Sequence, residues 1–102
     1  LFGGRTKAEE RYIEPTLLDN VQPDSAVMRD EIFGPVLPML TIDSIAEAEA
    51  FILEREKPLA LYVFADEDIA RGVFERTSSG GGCINDTIMH VANERMPFGG
   101  FA

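Results

Sequence analysis

The sequence holds one cysteine and one histidine, and each shortage removes a class of chemistry. A single thiol, Cys83, excludes an internal disulfide and fits a reducing, cytoplasmic setting. His90 and Cys83 alone do not make a metal centre, which needs several His, Cys or carboxylate ligands at suitable spacing, so no metal is expected. Basic residues are scarce too: nine against eighteen acidic ones, for a formal charge of −9. So negative a chain repels phosphate backbones and anionic lipid, and nucleic acid is not an expected partner. Long apolar runs are also lacking. The longest, residues 36–42 and 59–65, fall far short of the roughly 20 residues of a spanning helix, so no membrane segment is expected. Residues 1–12 lack the basic start and apolar middle of a signal peptide, and an opening Leu1-Phe2-Gly3-Gly4 without methionine reads as a chain that has lost its true start.

What is present is ordinary globular material, 45% hydrophobic and 26% charged, without repeats or low-complexity tracts and with glycine and proline falling between periodic stretches. This reads as a single unit. Residues 11–18 alternate as a strand interrupted by Pro15, hence an edge or irregular segment, and residues 19–31 read as loop with a helical turn near 26–29. Residues 36–42 form a nearly continuous apolar run, expected as a buried strand with Pro38 as its flaw. Ser44-Ile45-Ala46-Glu47 has the form of a capping box. A helix should follow, burying Ile45, Ala48, Phe51 and Ile52 and stopping by Lys57-Pro58. Residues 59–64 are a second expected buried strand. Asp66 should cap a second helix with acidic residues in its first turn and Ile69, Val73 and Phe74 as its buried stripe. Residues 82–86 are a third short strand. Strand, helix, strand, helix, strand is an α/β order with parallel strands joined by right-handed crossovers. Ligands gather beyond the carboxyl ends of such strands, which makes residues 85–98 the natural binding loop.

The candidate site residues have plain readings as well. Gly80-Gly81-Gly82 follows a helix and opens a strand, the reverse of a phosphate loop, so helix termination and close backbone approach explain it better. Cys83 lies in an apolar strand with no basic neighbour in sequence to lower its thiol pKa, and reads as core packing. His90 has no carboxylate partner assignable from sequence, which argues against acid–base catalysis. Asn85-Asp86-Thr87 matches a glycosylation acceptor, a triplet common by chance that matters only in secreted chains. In Glu31-Ile32-Phe33-Gly34-Pro35 a carboxylate and a ring stand two residues apart where a strand begins. Glu31 can accept hydrogen bonds from neighbouring ribose hydroxyls while Phe33 offers a flat apolar surface; equally, the pair can be a solvated glutamate and a core phenyl. Pro97-Phe98-Gly99-Gly100 reads as a turn with an anchoring aromatic.

Taken in order, Tyr12-Ile13-Glu14-Pro15-Thr16-Leu17, Glu31-Ile32-Phe33-Gly34-Pro35, Pro58-Leu59-Ala60-Leu61-Tyr62-Val63-Phe64, Ser78-Ser79-Gly80-Gly81 with Asn85-Asp86, and Pro97-Phe98-Gly99-Gly100 resemble the aldehyde dehydrogenase superfamily over almost the whole chain. Pro58 to Tyr62 and the Asn85-Asp86-Thr87-Ile88-Met89-His90 string look most like its class 3 branch. The resemblance implies the carboxyl-terminal part of a catalytic domain from an enzyme that oxidises an aldehyde to a carboxylic acid with NAD or NADP, by attack of a cysteine thiolate, hydride transfer, and hydrolysis by glutamate-activated water. It assigns Glu31 to the nicotinamide ribose, Phe33 to the aromatic beside it, and Phe98 to the substrate tunnel. Ile88 and Met89 fall in the loop that supplies substrate-pocket residues. The nucleophile's Gly-Gln-x-Cys setting, the general base before Leu-Gly-Gly-Lys, and the dinucleotide-binding domain are absent from these residues, and Cys83 aligns with a strand position. The resemblance further implies a parent enzyme that is a homo-oligomer, its oligomer-forming tail lying beyond Ala102, and an inactive isolated piece. The rival reading is a noncatalytic chain that persists by packing on another subunit through uncovered sheet edges.

Overall fold

The computed structural model describes residues 1–99; Gly100, the last residue of the closing motif, lies outside them. The chain divides into two compact units, Leu1–Thr41 and Ile42–Ala102, where the even spread of glycine and proline pointed to one.

In the first unit Pro15 breaks the extended run, because proline has no amide to donate to a ladder. The break leaves β2 (Tyr12–Ile13) paired antiparallel with β1 (Thr6–Lys7), and β3 (Thr16–Leu18) paired parallel with β4 (Val36–Pro38). Arg5 closes the β1–β2 ribbon, donating from Nε and Nη2 to the Glu14 carboxylate at 3.1 and 2.7 Å. These bonds hold the Glu14 carboxyl below its usual range. β3 is central: Thr16 N–H donates to Pro35 O at 2.7 Å on the β4 side, and Leu17 exchanges two backbone bonds with Phe2 on the other. Thr16 is buried, and its Oγ1 donates to Glu14 O at 2.6 Å while accepting the Gly4 N–H at 3.0 Å. The run expected as a buried strand over 36–42 is shorter and wetter than its composition implied. It ends at Pro38, and Leu37 is 58% exposed.

The second unit contains α1 (Ile45–Leu53), β5 (Ala60–Val63), α2 (Glu67–Arg76) and β6 (Gly81–Ile84). Ser44 starts α1 as its residue type dictates, its Oγ accepting the Glu47 N–H at 3.1 Å. The box closes one residue early, because the Glu47 carboxylate takes the amide of Asp43 at 2.6 Å rather than that of Ser44. α1 ends at Leu53, ahead of Lys57-Pro58, with Arg55 stacked 4.2 Å over the Phe51 ring. Asp66 occupies the N-cap of α2 without a side-chain capping bond; the acidic first turn of Glu67 and Asp68 favours the helix dipole, and Glu67 also accepts from Arg71 Nε at 3.1 Å one turn on. β5 and β6 pair in parallel, Ala60 opposite Gly81 through Val63 opposite Ile84, the strand–helix–strand unit the pattern implied.

Burial departs from the expected stripes. Among the described residues Ala70 and Val73 are the buried apolar ones; Ile69 is exposed and Phe74 half-buried on α2, Ile45 is exposed on α1, and β5, expected as a buried strand, is half-buried, as is β6. The buried residue of α1 is Glu49, tolerable because it is fully paired. Arg76 Nε reaches its two carboxylate oxygens at 2.8 and 2.9 Å, and Nη2 lies 2.7 Å from Oε1. This fork matches guanidinium to carboxylate geometry and fastens α1 to α2.

Glycine decides which faces of β6 are usable. Side chains alternate across a strand. A Cβ on Gly82 would lie 2.7 Å from Phe74 of α2, whereas one on Gly81 would lie 2.7 Å from the His90 ring. The helix therefore packs on one face of the β5–β6 ladder and the following loop on the other.

Two outcomes are expected. The Arg76 hydrogen bonds hold the Glu49 carboxyl below its ordinary value of 4.5. A carboxyl depressed in the folded state stabilises fully above its unfolded value and loses that contribution as pH falls through the folded one. Acid titrations of the wild type and Glu49→Gln, followed by circular dichroism, should therefore separate near neutrality and converge below about pH 4. Gly82→Ala should lower stability by about 1–3 kcal/mol, the usual range for overpacking, read as a fall in the urea midpoint. The added methyl meets Leu61 O at 2.2 Å, a backbone atom that cannot swing aside.

Candidate functional site

In the first unit, Glu31 and Phe33 lie on the loop that leads into β4. Its ends are fixed, one by the Arg29 N–H donating to Ala26 O at 3.2 Å and the other by Pro35 O accepting from Thr16. The Glu31 carboxylate is exposed and has no hydrogen-bond or ion-pair partner among the described residues. Phe33 is 93% exposed. The reading of Phe33 as a core phenyl is thus not what the fold builds. The loop presents an uncommitted double acceptor and a bare aromatic face two residues apart, a combination that fits a diol beside a flat ring.

In the second unit, residues 85–99 leave the carboxyl end of β6. Asn85 takes a left-handed conformation (φ 54°) that asparagine tolerates, and its side chain bridges to the end of β5: Oδ1 accepts the Ala65 N–H and Nδ2 donates to Ala65 O, each at 2.9 Å. The chain then turns through Ile88, also left-handed at φ 64°, into a short 3-10 turn, Met89–Ala92. For a β-branched residue this backbone costs on the order of 1–3 kcal/mol. Local bonds support it: Met89 N–H to Thr87 O at 2.6 Å and Val91 N–H to Ile88 O at 2.9 Å. Ile88 and Met89 remain largely exposed, as does Phe98. Gly99 (φ 94°) brings the chain against Gly80, where any side chain on either residue would strike the other's backbone. The glycine run thus serves close approach, as its order in sequence implied.

His90 is the side chain whose setting sequence reasoning missed. Its Nδ1 lies 3.8 Å from Cys83 Sγ, and its ring is tilted against Tyr62 with centroids 5.7 Å apart. Tyr62 and Cys83 are directly paired across the β5–β6 ladder, so the ring lies over one cross-strand pair. Alternation from Gly81 to Cys83 was the available signal, since both project to one face with the glycine leaving room for a ring. Cys83 is half-buried rather than core. Along the β6–α2 side runs an open groove of about 580 Å³, lined by Phe74, Thr77, Ser79, Cys83 and Ile84 among others; none of the expected site residues lines it. Among the described residues no group of three His, Cys, Asp or Glu is placed to hold a metal ion, and no helix is long and apolar enough to cross a membrane.

The aldehyde dehydrogenase family matches residues 1–102. The 4,4'-diaponeurosporen-aldehyde dehydrogenase of Staphylococcus aureus is 58% identical over 98% of this chain and 22% of its own length. The rat aldehyde dehydrogenase family 3 member A2 is 50% identical over 97% of the chain and 21% of its own length. A bovine protein named "Aldehyde dehydrogenase, dimeric NADP-preferring" is 48% identical over 97% of the chain and 42% of its own length. A solved structure described as the substrate-bound state of Staphylococcus aureus AldH superposes with a TM-score of 0.91 at 58% identity, over 98% of this chain and 22% of the other. The chain therefore spans about a fifth of the length of the first of these relatives. With a family match from end to end and relatives of this similarity, the chain belongs to the aldehyde dehydrogenase family.

Proposed function

We propose that these residues are the carboxyl-terminal part of the catalytic domain of a cytoplasmic, homo-oligomeric enzyme that oxidises an aldehyde to a carboxylic acid with NAD or NADP. The observation that carries the reading is the end-to-end family match together with the uncommitted Glu31–Phe33 pair. When bound, the dinucleotide supplies the hydride acceptor. Glu31 would hold the nicotinamide ribose through its two hydroxyls, and Phe33 would shield that end of the cofactor. Ile88, Met89 and Phe98 would give the substrate an apolar wall, suited to an aldehyde that presents apolar surface. On this reading the nucleophilic cysteine and general-base glutamate lie outside these 102 residues, and Cys83 does not replace the thiol. Its neighbours are His90 and Tyr62, and among the described residues no carboxylate is seen to orient the imidazole. The word "dimeric" in the bovine relative's name supports an oligomer.

A second reading, a noncatalytic assembly piece, draws support from one observation. β5 and β6 form a two-stranded ladder with a free edge on each strand among the described residues, and Leu59 and Phe64 beside it are exposed. Such edges invite pairing with another chain. Sedimentation of the polypeptide during an NAD titration separates the readings: self-association with no cofactor uptake favours the assembly piece, and a saturable NAD-dependent change favours the cofactor jaw.

In the full-length enzyme, Glu31→Gln should weaken dinucleotide binding and slow hydride transfer by about tenfold, because an amide loses one of the two acceptors and the charge-assisted strength of the carboxylate. Unchanged hydride transfer and NAD(P) affinity would remove Glu31 from the site. A preparation whose intact mass corresponds to these 102 residues should show no aldehyde oxidation, and turnover by it would contradict the assignment of the reacting groups elsewhere.

A further inference from the structure

The loop that carries Ile88 and Met89 has hooks on both sides. At its start the Asn85 amide grips both backbone polar groups of Ala65. At its end His90, the residue after Met89, lies over the Tyr62–Cys83 pair. Between them Ile88 is held left-handed, a conformation that a β-branched residue keeps only when its surroundings over-determine it. The groups facing the imidazole are the Cys83 thiol, the Tyr62 ring and the bare backbone of Gly81. Among the described residues no charged group is seen at the ring. Its setting is that of a wedge.

Gly81 makes the wedge possible. The three atoms nearest to a Cβ built there all belong to the His90 ring, the closest at 2.7 Å, with no strand backbone among them. At Gly82, by contrast, the nearest atom is Leu61 O. A methyl at position 81 would therefore move the ring while sparing the ladder, and with the ring the Ile88–Met89 segment just before it.

The geometry points to His90, seated in the space left by Gly81, as a positioning residue that sets where Ile88 and Met89 stand and so tunes which aldehydes the enzyme prefers by the size of their apolar part. The inference rests on the proposed reading of that loop as substrate wall and adds the residue pair that fixes it. Neither His90 nor Gly81 is required to touch the substrate.

The test uses the full-length enzyme and a series of straight-chain aldehydes of increasing length. The readout is the ratio of kcat/KM for the longest to that for the shortest, with KM for the dinucleotide measured alongside. Ile88→Ala, which trims the wall itself, should shift the ratio by about tenfold, the scale on which apolar pockets discriminate added carbons. His90→Ala and Gly81→Ala should each shift it in the same direction by about threefold or more, chiefly through KM for the long aldehydes, with KM for the dinucleotide unchanged. The double variant should shift it no further than His90→Ala alone, because without the ring the new methyl has nothing to strike. Should His90→Ala fail to fold, His90→Gln and Gly81→Ala carry the same comparison. A shift in Ile88→Ala with none in the His90 and Gly81 variants overturns the positioning role and leaves the wall standing. No shift in Ile88→Ala overturns the wall reading and the inference with it. Additive effects in the double variant, or a change confined to the dinucleotide KM, overturn the positioning role.

Discussion

A parallel strand that meets a helix on one face and a ring-bearing loop on the other has to surrender its own side chains where they arrive. β6 does so at Gly81 and Gly82, and the preceding Gly80 does the same for the backbone of Gly99. The placement of α2, the seat of His90 and the return of the chain after Phe98 all depend on those three vacated positions. Packing interiors normally gain stability by filling space. Here the space is left open on the strand so that its neighbours can fill it, and among the described residues the buried apolar ones, Ala70 and Val73, lie on the helix.

Charge is handled with similar economy. In a chain with twice as many acidic as basic residues, guanidinium groups are placed where one cation can satisfy a whole carboxylate. Arg5 holds Glu14 across the β1–β2 ribbon, and Arg76 holds Glu49 between α1 and α2. In both pairs much of the arginine faces solvent, but Glu49 is buried where Glu14 is half-buried, so in the second pair the carboxylate is the member that suffers most if the pair is broken. Glu31 stands outside this economy. Its acceptors are uncommitted, a condition that serves a ligand better than it serves the fold.

Much of the second unit was legible because its signals are local. Ser44 marked a helix start, the acidic residues after Asp66 marked another, and the glycine run marked a close approach. Signals that needed partners were not legible. Nothing near Val36 says that its neighbour is Thr16, twenty residues earlier, because Pro15 disguises β3 as a damaged strand. Apolar composition likewise overstated burial at Leu37, Ile69 and Phe64, since periodicity reports which residues share a face and not whether anything covers it. At the candidate site Glu31 and Phe33 were readable as types, and their exposure was not. His90 looked partnerless because its companions, Tyr62 and Cys83, are brought to it by strand register alone.

Three glycines in a row carry a consequence for how this region comes into being. Glycine loses more backbone freedom on ordering than any other residue, roughly 0.5–1 kcal/mol beyond alanine each, and the first half of β6 has no side chains with which to recover it. At Gly81 and Gly82 the ladder therefore gains side-chain packing from what lands on it and not from cross-strand pairs. Along a polypeptide emerging in order, α2 arrives before β6 and His90 arrives after it, so the ladder is left half-supported until the loop is made. The strand's second support is thus supplied by residues that follow it in the chain, His90 at Gly81 and Gly99 at Gly80.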